Sequence, residues 1–154
     1  VPRTRYGNKT TRNESTKGSD IIGFHIAKDS PSFEDKLAIF EAKAQFSGKK
    51  AKGRLQDAID GSAKDFIRKA ESLNAIKLND AEKIERFQNK LDRPYREVYG
   101  AVALFENSLF DYHQISSVDA SSHPSPYGPM LLVIKGEQMM ALVHELYRRA
   151  ADEA

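Results

Sequence analysis

Residues 37–46 read LAIFEAKAQF, and the two faces of this stretch decide the fold. At period two, Leu37, Ile39, Glu41, Lys43 and Gln45 share one face, and Ala38, Phe40, Ala42, Ala44 and Phe46 share the other. The second face is wholly apolar, whereas the first turns from apolar to polar partway along. That alternation predicts a strand. Upstream, residues 19–27 (SDIIGFHIA) are rich in Ile and Phe and predict another strand, joined to the first by the turn-rich KDSPSF of residues 28–33. The two make an antiparallel pair. Downstream, the basic turn SGKKAK (47–52) leads into a helix over 53–75, with Leu55, Ile59, Phe66, Ala70 and Leu73 as its apolar stripe. A second helix is expected over 79–91, with Ala81, Ile84, Phe87 and Leu91 inward; Arg93-Pro94 ends it. Residues 98–105 (VYGAVALF) read as a buried strand, with a helix as the alternative, and 130–135 (MLLVIK) as a strand. Between them, the Ser- and Pro-rich 116–129 reads as loop. A terminal helix follows Gly136. The order strand, strand, helix, helix, strand, strand, helix predicts an α/β fold with a small mixed sheet flanked by helices.

With 154 residues, the chain suits one domain with one core. Hydrophobic residues at 40% and charged residues at 30% match a globular protein. No apolar run reaches the roughly 20 residues that span a bilayer, and no charged-then-apolar leader opens the chain. The expectation is a cytoplasmic protein with no membrane partner. The absence of Cys excludes a disulfide scaffold and thiolate metal sites. The four His (His25, His113, His123, His144) lack the spacing of a zinc site. Charge is uneven: residues 1–54 carry a net +6 and residues 55–154 a net −4. A basic first third points to a polyanion, most often nucleic acid, or else to a solvated arm. Residues 1–18 read as a basic polar arm and 19–154 as the folded domain. Val1 is not an initiator, so the sequence is expected to be a fragment lacking its N-terminal part.

The chemistry concentrates in Asp20, at the mouth of the first strand, and Glu41-Ala42-Lys43 in the second. Charged residues inside an apolar strand need a reason, because an unpaired buried charge is costly. Glu41 and Lys43 share a face, and pairing of the strands can bring Asp20 beside them. Two carboxylates, with waters and a phosphate oxygen, make an oxygen shell for Mg²⁺. A nearby Lys can orient the attacking water or offset transition-state charge. Gln45, on the same face, can hold a water or a phosphate. Without such a function, Glu41 and Lys43 are a charge pair on a half-solvated sheet and Asp20 is a strand-start residue. A second acid–x–Lys triplet, Glu34-Asp35-Lys36, lacks the apolar flanks and carries less weight.

The stretch Gly18-Ser19-Asp20-Ile21-Ile22-Gly23-Phe24, a loop, and Ile39-Phe40-Glu41-Ala42-Lys43 together resemble the PD-(D/E)xK nuclease superfamily. Ser19 stands where the superfamily's name has Pro. More narrowly, GSDIIGF and its distance to FEAK resemble HamA, the nuclease family of the Hachiman anti-phage defence system. The resemblance is firm over residues 18–43 and looser beyond. It implies a restriction-endonuclease-like core and a Mg²⁺-dependent DNA nuclease, with Mn²⁺ as a substitute, partnered by a superfamily-2 helicase, HamB. By the same match, Asp20 and Glu41 are metal ligands and Lys43 is the catalytic lysine. The superfamily often adds an acid on a helix ahead of the first strand. Glu14, the only acid there, lies in the polar arm and is not assigned that role.

Lys49, Lys50, Lys52 and Arg54 lie just after the catalytic strand, near a helix start. They are expected to contact the nucleic-acid backbone with little sequence preference. His25 reads as a packed strand residue on the face opposite Asp20. The helix carrying Met139, Met140, Leu142, Val143, Leu146 and Tyr147 reads as mostly core. Two other classes of function compete with the nuclease. One is a non-catalytic DNA- or partner-binding module on a degenerate nuclease fold. The other is a structural subunit whose apolar C-terminal helix docks a larger protein.

Overall fold

A computed structural model describes residues 20–74, 86–87 and 94–152. The arm at 1–18 and nearly all of the helix expected over 79–91 lie outside the described residues. Strand β1 (Ile21–His25) and strand β2 (Lys36–Gln45) are followed by helix α1 (Arg54–Asn74). Strand β3 (Arg96–Glu106) leads through a 3-10 turn (Asn107–Leu109) to a short helix α2 (Tyr112–Ser116). Strand β4 (Met130–Gly136) and helix α3 (Met139–Asp152) close the order. The fold is α/β, a mixed four-stranded sheet flanked by helices, with strand order β1-β2-β3-β4. β1 runs antiparallel to β2, whereas β3 is parallel to both β2 and β4.

Helix α1 packs on the sheet face that carries Leu37, Ile39, Tyr99, Ala101, Ala103 and Phe105, all buried. Its own Leu55, Ala58 and Ile59 join Ala101, Ala103 and Phe105 in one apolar cluster. A second cluster gathers Ile22, Leu37, Ile39, Tyr95 and Tyr99 around Phe87, which is fully buried. Phe87 stacks obliquely on Phe24 at 5.2 Å and edge-on to Tyr95 at 5.1 Å. Phe66 of α1 reaches Tyr99 at 5.0 Å.

The face of β2 that turns from apolar to polar is therefore the one the helix covers, and the wholly apolar face is only half-buried. On that half-buried face the Phe40 ring lies across Gly100. A Cβ at Gly100 would stand 2.1 Å from the ring, so a larger residue there would displace the Phe40 side chain.

Two expectations need correction. His25 is exposed rather than packed, because it ends β1 at the sheet's edge. Helix α3 is not core: only Met139 is buried, while Leu142, Leu146 and Tyr147 stand in solvent. Its start is fastened at the end of β3. There the Glu106 carboxylate accepts the backbone N–H groups of Gln138 (3.2 Å) and Met139 (2.8 Å).

Candidate active site

Glu41 sits in β2 where its face passes from apolar to polar, between Ile39 and Lys43. Its neighbours across the parallel pairing are small: Glu41 stands beside Ala101 and Lys43 beside Ala103. Two alanines on β3 leave room for two longer charged side chains under α1. The antiparallel register pairs Ile21 with Phe40, and one step further sets Asp20 opposite Glu41. The Asp20 carboxylate accepts the backbone N–H of Ala42 at 2.9 Å, which ties the start of β1 to the middle of the triplet.

Lys43 donates to the Glu41 carboxylate in a close ion pair. The Glu41 side chain is 12% exposed and that of Lys43 35%, so the pair opens to solvent at its lysine end. Burial pushes the Glu41 carboxyl above its ordinary range. The hydrogen bond from Lys43 opposes this, and the charges of Asp20 and Asp65 add to it. Burial alone would favour neutral Lys43. The Glu41 hydrogen bond and the charges of Glu41, Asp20 and Asp57 outweigh it and hold the ammonium protonated.

The structure thus brings Asp20, Glu41 and Lys43 together. It also places α1 beside them. Asp57, Gly61 and Asp65 recur every four residues along one side of this helix. Gly61 lies against Glu41 itself, and Asp57 and Asp65 bias the charges of Lys43 and Glu41. Sequence reasoning missed all three. The available signal was polar residues at helical spacing beside the apolar stripe, with a glycine in mid-helix.

Gln45, expected to hold a water or a phosphate, is engaged with the turn that follows β2. It is buried, its amide nitrogen donates to the Lys50 carbonyl at 2.8 Å, and its oxygen accepts the Lys52 N–H at 2.9 Å. Both ends of the amide hold the basic turn. The turn passes through Gly48 at φ 122°, a left-handed angle that favours glycine. Lys49, Lys50 and Lys52 are exposed on it. Arg54, at the start of α1, pairs with Asp57 at 3.1 Å. A shallow depression lined by Lys50, Lys52, Gly53, Gln56, Gln114 and Ser117 lies between this turn and α2.

Among the described residues no three His, Cys, Asp or Glu side chains gather into a metal cage. Asp20 and Glu41 instead offer two carboxylates. Such a pair suits a hard divalent cation that keeps several waters and takes a phosphate oxygen, as Mg²⁺ does. The donor set therefore fits that ion.

Fold and cluster together define an α/β protein with an acid and a lysine beneath one helix of a mixed sheet and a second, exposed acid beside them at the mouth of β1. Residues 1–150 match the family model HamA, and the chain belongs to the HamA family. That family places it in the Hachiman anti-phage defence system. No curated protein and no solved structure matches the chain. No helix among the described residues is long and apolar enough to cross a membrane.

Proposed function

We propose that this protein is a Mg²⁺-dependent DNA nuclease of the PD-(D/E)xK type, working in the cytoplasm with a superfamily-2 helicase partner. The observation that carries this reading is the meeting of Asp20 with Glu41 and Lys43, 21 and 23 positions further along the sequence, on one edge of the helix-covered face. A structural charge pair would need only Glu41 and Lys43. The additional carboxylate from β1 raises the local negative charge, which a divalent cation would neutralise.

In this mechanism Asp20 and Glu41 would hold Mg²⁺, which would supply Lewis-acid polarisation of a phosphoryl group. Lys43 orients the attacking water and offsets the charge that builds on the phosphoryl oxygens. Its ammonium is already protonated and fixed by Glu41, so little reorganisation is needed. Lys49, Lys50 and Lys52 grip the phosphate backbone without base preference. Gln45 shapes the turn that presents them.

The test is cleavage of plasmid and oligonucleotide DNA by the full-length protein with and without Mg²⁺. Glu41→Ala and Lys43→Ala are expected to lose about 100-fold or more in rate with folding intact. Asp20→Asn is expected to abolish heat release on titration with Mn²⁺. Normal cutting by the Glu41 and Lys43 variants overturns the assignment. Salt-sensitive DNA binding without a metal titration would favour the non-catalytic module instead.

A further inference from the structure

Gly61 occupies the interior of α1, seven residues past its first turn residue Arg54. A glycine there weakens a helix by about 0.5–1 kcal/mol relative to alanine. Its backbone does not require glycine, because the positive-φ residues among those described are Gln138, Gly48 and Gly128. The reason lies outside the helix. A Cβ at position 61 would stand 2.6 Å from Cγ of Glu41, 2.9 Å from its Oε1 and 3.0 Å from its carboxyl carbon. Real Cβ atoms do not approach neighbours that closely, so a methyl group and the observed Glu41 cannot coexist. Glu41 cannot simply swing aside, since it is buried and Oε1 also accepts from Lys43.

We propose that Gly61 is a positioning residue: the side chain it lacks is the slot in α1 that holds the Glu41 carboxylate against Lys43 and towards Asp20. This deepens the nuclease reading and rests on it only for the metal arm of the test. The slot needs no ligand to exist. It explains why a helix with an otherwise regular apolar stripe carries a glycine where it meets Glu41 of β2. Any larger residue would push the carboxylate outward and break its pairing with Lys43.

A thermal double-mutant cycle between Gly61→Ala and Glu41→Ala isolates the contact. With Glu41 replaced, Gly61→Ala is expected to raise Tm by a few degrees, the ordinary gain of alanine in a helix of this size. With Glu41 present, that gain is expected to vanish or reverse. Lys64→Ala, an exposed change on the same helix, is expected to shift Tm equally in both backgrounds.

In Mn²⁺ titration, Gly61→Ala is expected to weaken binding at least about tenfold, with the circular dichroism of the fold retained. Equal Tm shifts for Gly61→Ala in the two backgrounds overturn the proposal. So does unchanged Mn²⁺ affinity. If the wild-type chain takes up no Mn²⁺, the nuclease reading fails, and the thermal cycle alone decides the role of Gly61. Should Gly61→Ala fold poorly by itself, recovery of folding in the Glu41→Ala, Gly61→Ala double variant supports the slot, and persistent misfolding overturns it.

Discussion

Asp35 belongs to the less specific of the two acid–x–Lys triplets, and its surroundings show a structural role. It is fully buried, and its carboxylate accepts the N–H groups of Ala27 (2.9 Å) and Ser32 (3.1 Å) and the Arg86 guanidinium (2.8 Å). Arg86 in turn donates to the carbonyls of Lys28, Asp29 and Ser30. The pair therefore closes the loop that sets the β1–β2 register, and with it the placement of Asp20 opposite Glu41. Burial pushes the Asp35 carboxyl up, but the bonds from Ala27, Arg86 and Ser32 outweigh it, and the net shift is below the ordinary value of 3.8. As pH falls, the unfolded chain takes up the proton first. Asp35 thus stabilises the fold above its unfolded value, and that contribution is lost as pH falls through the lower folded value. Asp35→Ala is expected to destabilise by roughly 3 kcal/mol in urea unfolding, because it leaves the Arg86 charge without its carboxylate. An unchanged midpoint would show that the loop is held by other means.

Among the elements, β2 and α3 show how far apolar patterning can be trusted. The alternation in β2 is real, yet the helix covers its mixed face. Leu37 and Ile39 pack in the apolar half, while Glu41 and Gln45 are buried with hydrogen-bond partners in the polar half. In α3 the apolar stripe is equally clear, but nothing among the described residues covers Leu146 or Tyr147, which are 56% and 75% exposed. Hydrophobic spacing says which residues share a side of a helix, not whether another surface meets that side. Leu146→Ala is accordingly expected to change stability by less than about 0.5 kcal/mol. Glu106→Ala, which strips the helix start of its acceptor, is expected to lose about 1 kcal/mol. Thermal or urea unfolding of the two variants checks the order, and a larger loss for Leu146→Ala would place that side chain in a packed environment.

Across the whole molecule, the loop between α2 and β4 is fastened to α1 on the helix-covered side. Gln56 accepts the Asp119 N–H at 2.9 Å and donates to the Asp119 carbonyl at 3.0 Å. His123 is buried; its Nδ1 accepts the Ser125 N–H at 3.1 Å, which leaves Nε2 to donate to Ser62 Oγ at 3.3 Å. Burial lowers the His123 pKa, and Ser62 only partly offsets this. The fold therefore prefers neutral His123. Its contribution is complete above the ordinary value of 6.5 and is lost as pH falls through the lower folded value. Wild-type protein is expected to lose more stability than His123→Gln between about pH 7 and pH 5, as read from urea midpoints. Parallel pH profiles would remove His123 from that role.

The four strands, the antiparallel β1–β2 pair, the boundaries of α1 within a residue at each end, and the candidacy of Asp20, Glu41 and Lys43 were legible in the sequence; the short helix α2 was not. These depend on local periodicity and on charges placed where an apolar strand should continue. Tertiary structure alone decided that α1 lies over the polar half of β2, that Gly61 makes way for Glu41, that Gln45 serves the turn, and that α3 stays largely uncovered among the described residues. Each of those is a contact between segments far apart in sequence, and no single-segment pattern carries the distance between two surfaces.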